Sequence, residues 1–140
     1  MEQITVLALT PLLLAASVML ATPASSATDP LAGLRWKARA LVLFAPDSAD
    51  ARLLTQRRLF EAAQAGAKER DLVLIEAVGG TPEAGILRRR FKVEDSAFRA
   101  LLIGKDGGAK LTESEPIPPQ RLYETIDAMP MRQDERRQRP

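Results

Sequence analysis

The sequence predicts an α/β fold of three layers, a central mixed four-stranded sheet with helices on both faces. Three observations predict it. Ala38 to Ala45 is a short apolar run without polar alternation, as a strand buried on both faces is, and Leu72 to Val78, again rich in Val, Ile and Leu, is a second strand. Each is followed by a stretch that opens with helix-start chemistry, so the two strands are joined by a crossover and lie parallel. Lys105-Asp106-Gly107-Gly108 then reads as a hairpin turn, which makes the strands on either side of it antiparallel.

The chain begins with an address. Met1 to Ala27 reads as a secretory signal peptide, an apolar run from Ile4 to Leu20 followed by Ala21-Thr-Pro-Ala-Ser-Ser-Ala27, whose Ser25 and Ala27 suit the small-residue pockets of signal peptidase. Its first residues include Glu2 and no Lys or Arg. The rival reading is an uncleaved membrane anchor, but the run is shorter than the ~20 residues of a spanning helix, and Pro11 interrupts it. The expectation is a signal peptide over residues 1–27, one domain over 28–131 and a disordered charged tail over 132–140. That places the domain outside the cytoplasmic membrane, periplasmic or secreted, with no stable membrane insertion after cleavage.

Within the domain, Pro46 stops the first strand. Asp47 reads as a helix N-cap with Asp50 in the capping-box position, and the helix is expected to run to about Ala65 and end at Gly66. Leu53, Phe60 and Ala63 share one face of it, flanked by Leu59, while Arg52, Arg57, Arg58 and Glu61 point elsewhere. Gly79-Gly80 closes the second strand. Thr81-Pro82 is an N-cap followed by proline at the first helical position, predicting a helix to about Phe91. Phe98 to Ile103 and Ala109 to Leu111 are the hairpin strands. Pro118-Pro119 introduces a last helix with Leu122, Ile126 and Met129 on one face and Tyr123 beside them.

Composition narrows the chemistry. At 140 residues, with 46% hydrophobic and 27% charged side chains, the chain has the balance of a globular protein with one core. The net charge of +2 includes arginine clusters at Arg57-Arg58, Arg88 to Arg90 and Arg136-Arg137. Binding single-stranded nucleic acid also wants aromatic stacking platforms, and at 4% aromatics the sequence speaks against it. With no cysteine there is neither a disulfide framework nor thiol chemistry. With no histidine there is no Ser-His-Asp triad, and zinc, copper and haem lose their preferred ligands. Oxygen-ligand metals remain, but no spaced run of aspartates forms a calcium loop. Gly104-Lys105 is no phosphate loop, because Arg99 stands where the earlier glycine belongs and Asp106 where the hydroxyl does.

The first strand and turn, Leu41-Val-Leu-Phe-Ala-Pro-Asp-Ser-Ala-Asp-Ala-Arg52, resemble a thioredoxin strand entering its active-site turn. More specifically, Leu34-Arg-Trp-Lys37, Phe44-Ala-Pro46, Glu69-Arg-Asp-Leu72, Leu102-Ile-Gly-Lys-Asp-Gly-Gly108 and Met129-Pro-Met-Arg132 resemble the prokaryotic P-DUDES family, across nearly all of residues 31–132. That domain of unknown function is similar to modules of vertebrate matrix-associated and sushi-repeat proteins. The resemblance implies a thioredoxin-like, peroxiredoxin-related fold in exported proteins and supplies no activity. Laid on the thioredoxin pattern, Ser48 falls at the nucleophilic cysteine and Ala51 at the resolving one. The proline that normally precedes the third strand is missing from Glu94-Asp-Ser-Ala-Phe98.

The expected function is therefore a noncatalytic binding or interaction module, without thiol-disulfide activity, catalytic residue, metal or cofactor, whose partner is a protein or peptide outside the cytoplasm. The turn residues Pro46, Asp47, Ser48 and Asp50 are the candidate binding site. Arg35, Trp36 and Lys105 are candidate interaction anchors, although Trp36 also reads as a core-edge residue. The alternative is an enzyme using oxygen-based acid/base or nucleophilic chemistry on Asp47, Ser48, Asp50 and Lys105, which needs Lys105 near Ser48. A third reading holds Arg88 to Arg90 and the basic tail against an acidic membrane or glycan surface.

Overall fold

In a computed structural model, which describes residues 26–139, the first strand β1 is Arg39–Ala45, followed by helices α1 (Ala51–Ala62) and α2 (Gln64–Glu69). Strand β2 (Leu72–Val78), helix α3 (Pro82–Phe91) and strands β3 (Arg99–Ile103) and β4 (Ala109–Glu113) come next, and α4 (Pro119–Asp127) and α5 (Pro130–Gln138) complete the order. The sheet order is β2-β1-β3-β4, with β2 parallel to β1 and the other two pairings antiparallel. This is the mixed four-stranded α/β arrangement that the sequence predicts, and it is consistent with a thioredoxin-like fold. The leader expected over Met1 to Ala27 lies outside the described residues apart from Ser26 and Ala27.

β1 is buried along its whole length, which explains its unbroken apolar run. Successive side chains alternate between two cores. Leu41, Leu43 and Ala45 face Leu53 of α1, Ala67 of α2, and Leu122 and Ile126 of α4, whereas Ala40, Val42 and Phe44 face Ala84 and Leu87 of α3. Gln56 is the polar exception in α1. Its fully buried amide donates to Ile117 O (3.0 Å) and accepts from Ile117 N (2.6 Å), so both polar backbone groups of that residue are satisfied away from water.

Three local expectations need correction. Asp50, and not Asp47, is the N-cap of the first helix, accepting from Arg52 N (2.9 Å) and Leu53 N (3.4 Å). Asp47 instead closes a tight turn by accepting from Ala49 N (2.8 Å), so two aspartates three apart offer two competing caps and the later one wins. Gly66 does not end a helix; it lies inside α2, where it lets Tyr123 approach. A Cβ there would sit 2.6 Å from Tyr123 Oη, whose hydroxyl donates to Ala63 O. Gly66→Ala is accordingly expected to cost about 1–3 kcal/mol by displacing that ring, and equilibrium urea unfolding measures it.

The third correction concerns the tail. Residues 130–138 form α5 and are not a disordered extension. The order comes from charge: Arg132 is 1% exposed and donates to Glu69 O (3.1 Å), Glu69 Oε1 (3.0 Å) and Asp127 Oδ1 (3.3 Å). A segment without an apolar stripe thus docks through a buried ionic one.

Candidate functional site

At its carboxyl end β1 passes the chain to α1 on one face of the sheet, and its parallel neighbour β2 passes it to α3 on the other face. Adjacent parallel strands whose connections part to opposite faces leave a crevice between their two loops, the general ligand position in open α/β sheets. Here the crevice has a volume of about 370 Å³ and is lined by Pro46, Gly79, Gly80, Thr81, Arg88 and Arg89, with Asp95 at its rim.

Arg88 forms its floor. A helical side chain leans toward the helix N-terminus, so Arg88, from the second turn of α3, reaches back beneath the loop after β2. It is 5% exposed, and its guanidinium donates to Gly79 O, to Ala45 O (2.9 Å) and to Ala77 O (3.3 Å), the carbonyls that end β1 and β2. Its Nε is buried without a hydrogen-bond acceptor, and the closest carboxylate, that of exposed Asp95, is 3.9 Å away. Thr81 Oγ1 caps Ala84 N (3.2 Å), Pro82 has no N–H and Gly85 N donates to Thr81 O (3.0 Å), so the first turn of α3 keeps only the Glu83 N–H without an intrachain acceptor. Arg88, Arg89 and the backbone of the glycine pair are the groups that can hold one carboxylate or similar anion here.

Of the turn residues singled out from the sequence, Pro46 lines this crevice, while Asp47 and Ser48 are exposed on the loop above it. Asp50 is engaged by Arg52: hydrogen bonds from that side chain, joined by its backbone and that of Leu53, hold the carboxyl below its ordinary range. Lys105 lies at the other end of the sheet, beyond Ile103, which pairs with Ala40 near the start of β1. It is therefore separated from Ser48 by the length of β1, roughly 20 Å, and the lysine-serine chemistry of the enzyme reading has no geometry to use.

Arg35, Trp36 and Lys105 do come together, since Trp36 N donates to Lys105 O (2.6 Å) and the Arg35 guanidinium lies 5.2 Å from the centre of the Trp36 ring. Trp36 is not a core-edge residue. It is 57% exposed, because its backbone takes the left-handed conformation (φ 67°) that turns the ring away from the sheet. Lys105 is buried and neutralised, with its Nζ 2.9 Å from Asp71 Oδ2 and 2.6 Å from Glu135 Oε1. It has no charge to offer a partner.

Those contacts belong to an ionic cluster at the amino end of β1 that the sequence reading missed. Arg39, 1% exposed, grips Glu135 through both terminal nitrogens (3.2 and 3.3 Å) and donates to Arg70 O (2.9 Å). Arg70 in turn makes a two-point bond to Asp127 (3.0 and 2.9 Å). A charged residue inside a seven-residue buried strand was the signal, because a buried guanidinium demands a carboxylate from somewhere in the chain.

Burial works to raise the Glu135 carboxyl, but hydrogen bonds from Lys105 and Arg39 outweigh it and hold the group below its ordinary value. Asp127 is lowered too, chiefly by Arg70. Carboxyls depressed in the folded state stabilise it fully above their unfolded pKa values, about 3.9 and 4.3, and lose that contribution as pH falls through the lower folded ones. The expected melting temperature is flat from about pH 7 to 5 in this respect and falls below about pH 4.5; scanning calorimetry across that range checks it.

Among the described residues no group of three or more acidic side chains is placed to hold a metal ion, and no helix is long and apolar enough to cross a membrane. A family model described as a domain of unknown function, DUF4174, matches residues 30–135. No curated protein and no solved structure matches the chain.

Proposed function

Since the chain belongs to the DUF4174 family, we propose that it is a noncatalytic binding module, exported from the cytoplasm, that holds an anionic group of a protein or peptide in the crevice at the carboxyl ends of β1 and β2. The observation that carries the reading is Arg88, a buried guanidinium with an unsatisfied Nε beneath a glycine-rich helix start. Arg89 adds a second positive charge on the same wall.

The finer parts of the reading rest on the sequence. The thioredoxin-like relation and the P-DUDES resemblance are supported by the βαβαββα order and by the position of Ser48 in the loop after β1. The absence of cysteine then closes thiol chemistry and leaves binding. Export rests on the apolar leader and its Ala-rich end.

Amide-resolved NMR titration with a short peptide bearing a free carboxyl terminus tests the proposal. The expected shifts are confined to Gly79, Gly80, Thr81 and the Arg88 side chain, are absent with the amidated peptide and weaken in Arg89→Gln. Recovery of the peptide unchanged is part of the expected result. Equal shifts with both peptides, or none at millimolar concentration, would overturn it.

A further inference from the structure

Exposed apolar side chains and unpaired cations gather at one end of the molecule. Among the described residues the large apolar side chains left exposed are Trp36 (57%), Val73 (37%) and Met131 (37%). All three stand at the amino end of β1: Trp36 N is bonded to Lys105 O, Val73 pairs with Ala40, and Met131 lies in α5 beside Arg39 and Lys105. Arg35 and Lys37 flank Trp36, Lys68 O accepts from Asp71 N at the entry to β2, and Arg136 follows the Glu135 that binds Arg39. These four cations are exposed, and none has an ion pair among the described residues.

The carboxylates next to them are already taken. Glu69 and Asp127 bind Arg132, Asp71 binds Lys105, Asp134 binds Arg137 and Glu135 binds Arg39. Asp47, Glu83 and Glu115, which have no ion pair among the described residues, lie past the opposite end of the strands, where the crevice is. The Trp36 backbone is an independent sign. A bulky residue with a φ of 67° is strained, and the bond from Trp36 N to Lys105 O (2.6 Å) holds it so. The strain secures no burial of the ring; it presents the indole outward between two free cations.

We propose that this end adsorbs to an anionic phospholipid surface, with the Trp36 indole and Met131 entering the boundary between headgroups and acyl chains and Arg35, Lys37, Lys68 and Arg136 on lipid phosphates. An indole, apolar in body with one N–H to donate, suits that boundary. A soluble polyanion would engage the cations and leave indole and thioether in water, and the groove lined by Phe60, Leu72 and Leu74, where a peptide would lie, contains neither Trp36 nor Met131. Each cation at such a surface raises partitioning about fivefold, an effect that salt screens. Attachment through so few apolar side chains is reversible, and it leaves the crevice, about 20 Å away along β1, facing outward.

Trp36 is the only tryptophan, so its fluorescence reads the contact directly. Protein purified from cells expressing the full chain is mixed with vesicles of phosphatidylglycerol and phosphatidylcholine in equal parts, or of phosphatidylcholine alone. The anionic vesicles are expected to shift the emission to the blue at low salt, and brominated acyl chains to quench it; about 0.5 M sodium chloride should reverse both effects, and the neutral vesicles should cause neither. Replacing both Lys37→Gln and Lys68→Gln should lower the partition coefficient about 25-fold at unchanged circular dichroism. Heparin and polyglutamate, as soluble polyanions, should leave the emission where it is. A shift with either polyanion equal to that with anionic vesicles, vesicle binding indifferent to salt or lipid charge, or no shift at millimolar lipid overturns the proposal.

Discussion

Replacing Glu135 with alanine is expected to destabilise the protein by about 3 kcal/mol, the lower end of the range for breaking a buried ion pair by deleting one partner. The reason is what remains. Arg39 is 1% exposed and Lys105 is 8% exposed, and both aim at the Glu135 carboxylate, so its removal leaves two buried cations with only Asp71 nearby. The figure is placed low because Glu135 itself is 18% exposed, and water can enter part of the gap. For a domain of about 100 residues this corresponds to a melting temperature lowered by roughly 12 °C or more. Thermal unfolding followed by circular dichroism measures it, and hydrogen exchange should show α5 losing protection first. A change below about 1 kcal/mol would mean that the ionic cluster does not hold α5 in place.

The second large effect is at the opposite end of the sheet. Arg88→Ala withdraws charged donors from Gly79 O and Ala45 O and empties the space beneath the loop after β2. Hydrogen bonds from a charged group are worth about 1.5–3 kcal/mol each, but two of the three carbonyls also accept backbone bonds or can reach water through the crevice. The expected loss is therefore about 3 kcal/mol in urea unfolding. Arg88→Lys should recover less than half, because a single ammonium cannot serve three carbonyls from one planar fork. Both variants should also lose peptide binding at the crevice. Arg89→Gln, on the same wall but without those backbone bonds, should weaken binding and keep its stability.

Apolar runs, turns and one cap made the architecture readable. Leu41 to Ala45 and Leu72 to Val78 read as strands from their Val/Ile/Leu content, Thr81-Pro82 starts α3 as its chemistry requires, and the glycine pair after Asp106 turns the hairpin. What escaped was long-range electrostatics. Neither Arg39 in β1 nor Glu135 in α5 signals the other, since local pattern shows that a buried charge needs a partner without saying which residue supplies it. The same gap turned α5 into an expected tail, although Met129-Pro130 carries an ordinary helix start. Gly66 misled for a different reason. A glycine needed for close approach and a glycine needed for a helix end look alike until Tyr123 is in place. At the site, Pro46 was legible as the strand stop beside the crevice, but Arg88, counted among a run of surface arginines, was not.

The Arg39–Glu135 pair spans 96 residues of sequence. A nascent polypeptide can assemble β1, β2 and the hairpin early, yet the guanidinium at the start of its central strand has no countercharge until residue 135 has been synthesised. Completion of the native state is thereby tied to arrival of the last helix. A chain that stops short of residue 135 is left with that end of the sheet loosely closed.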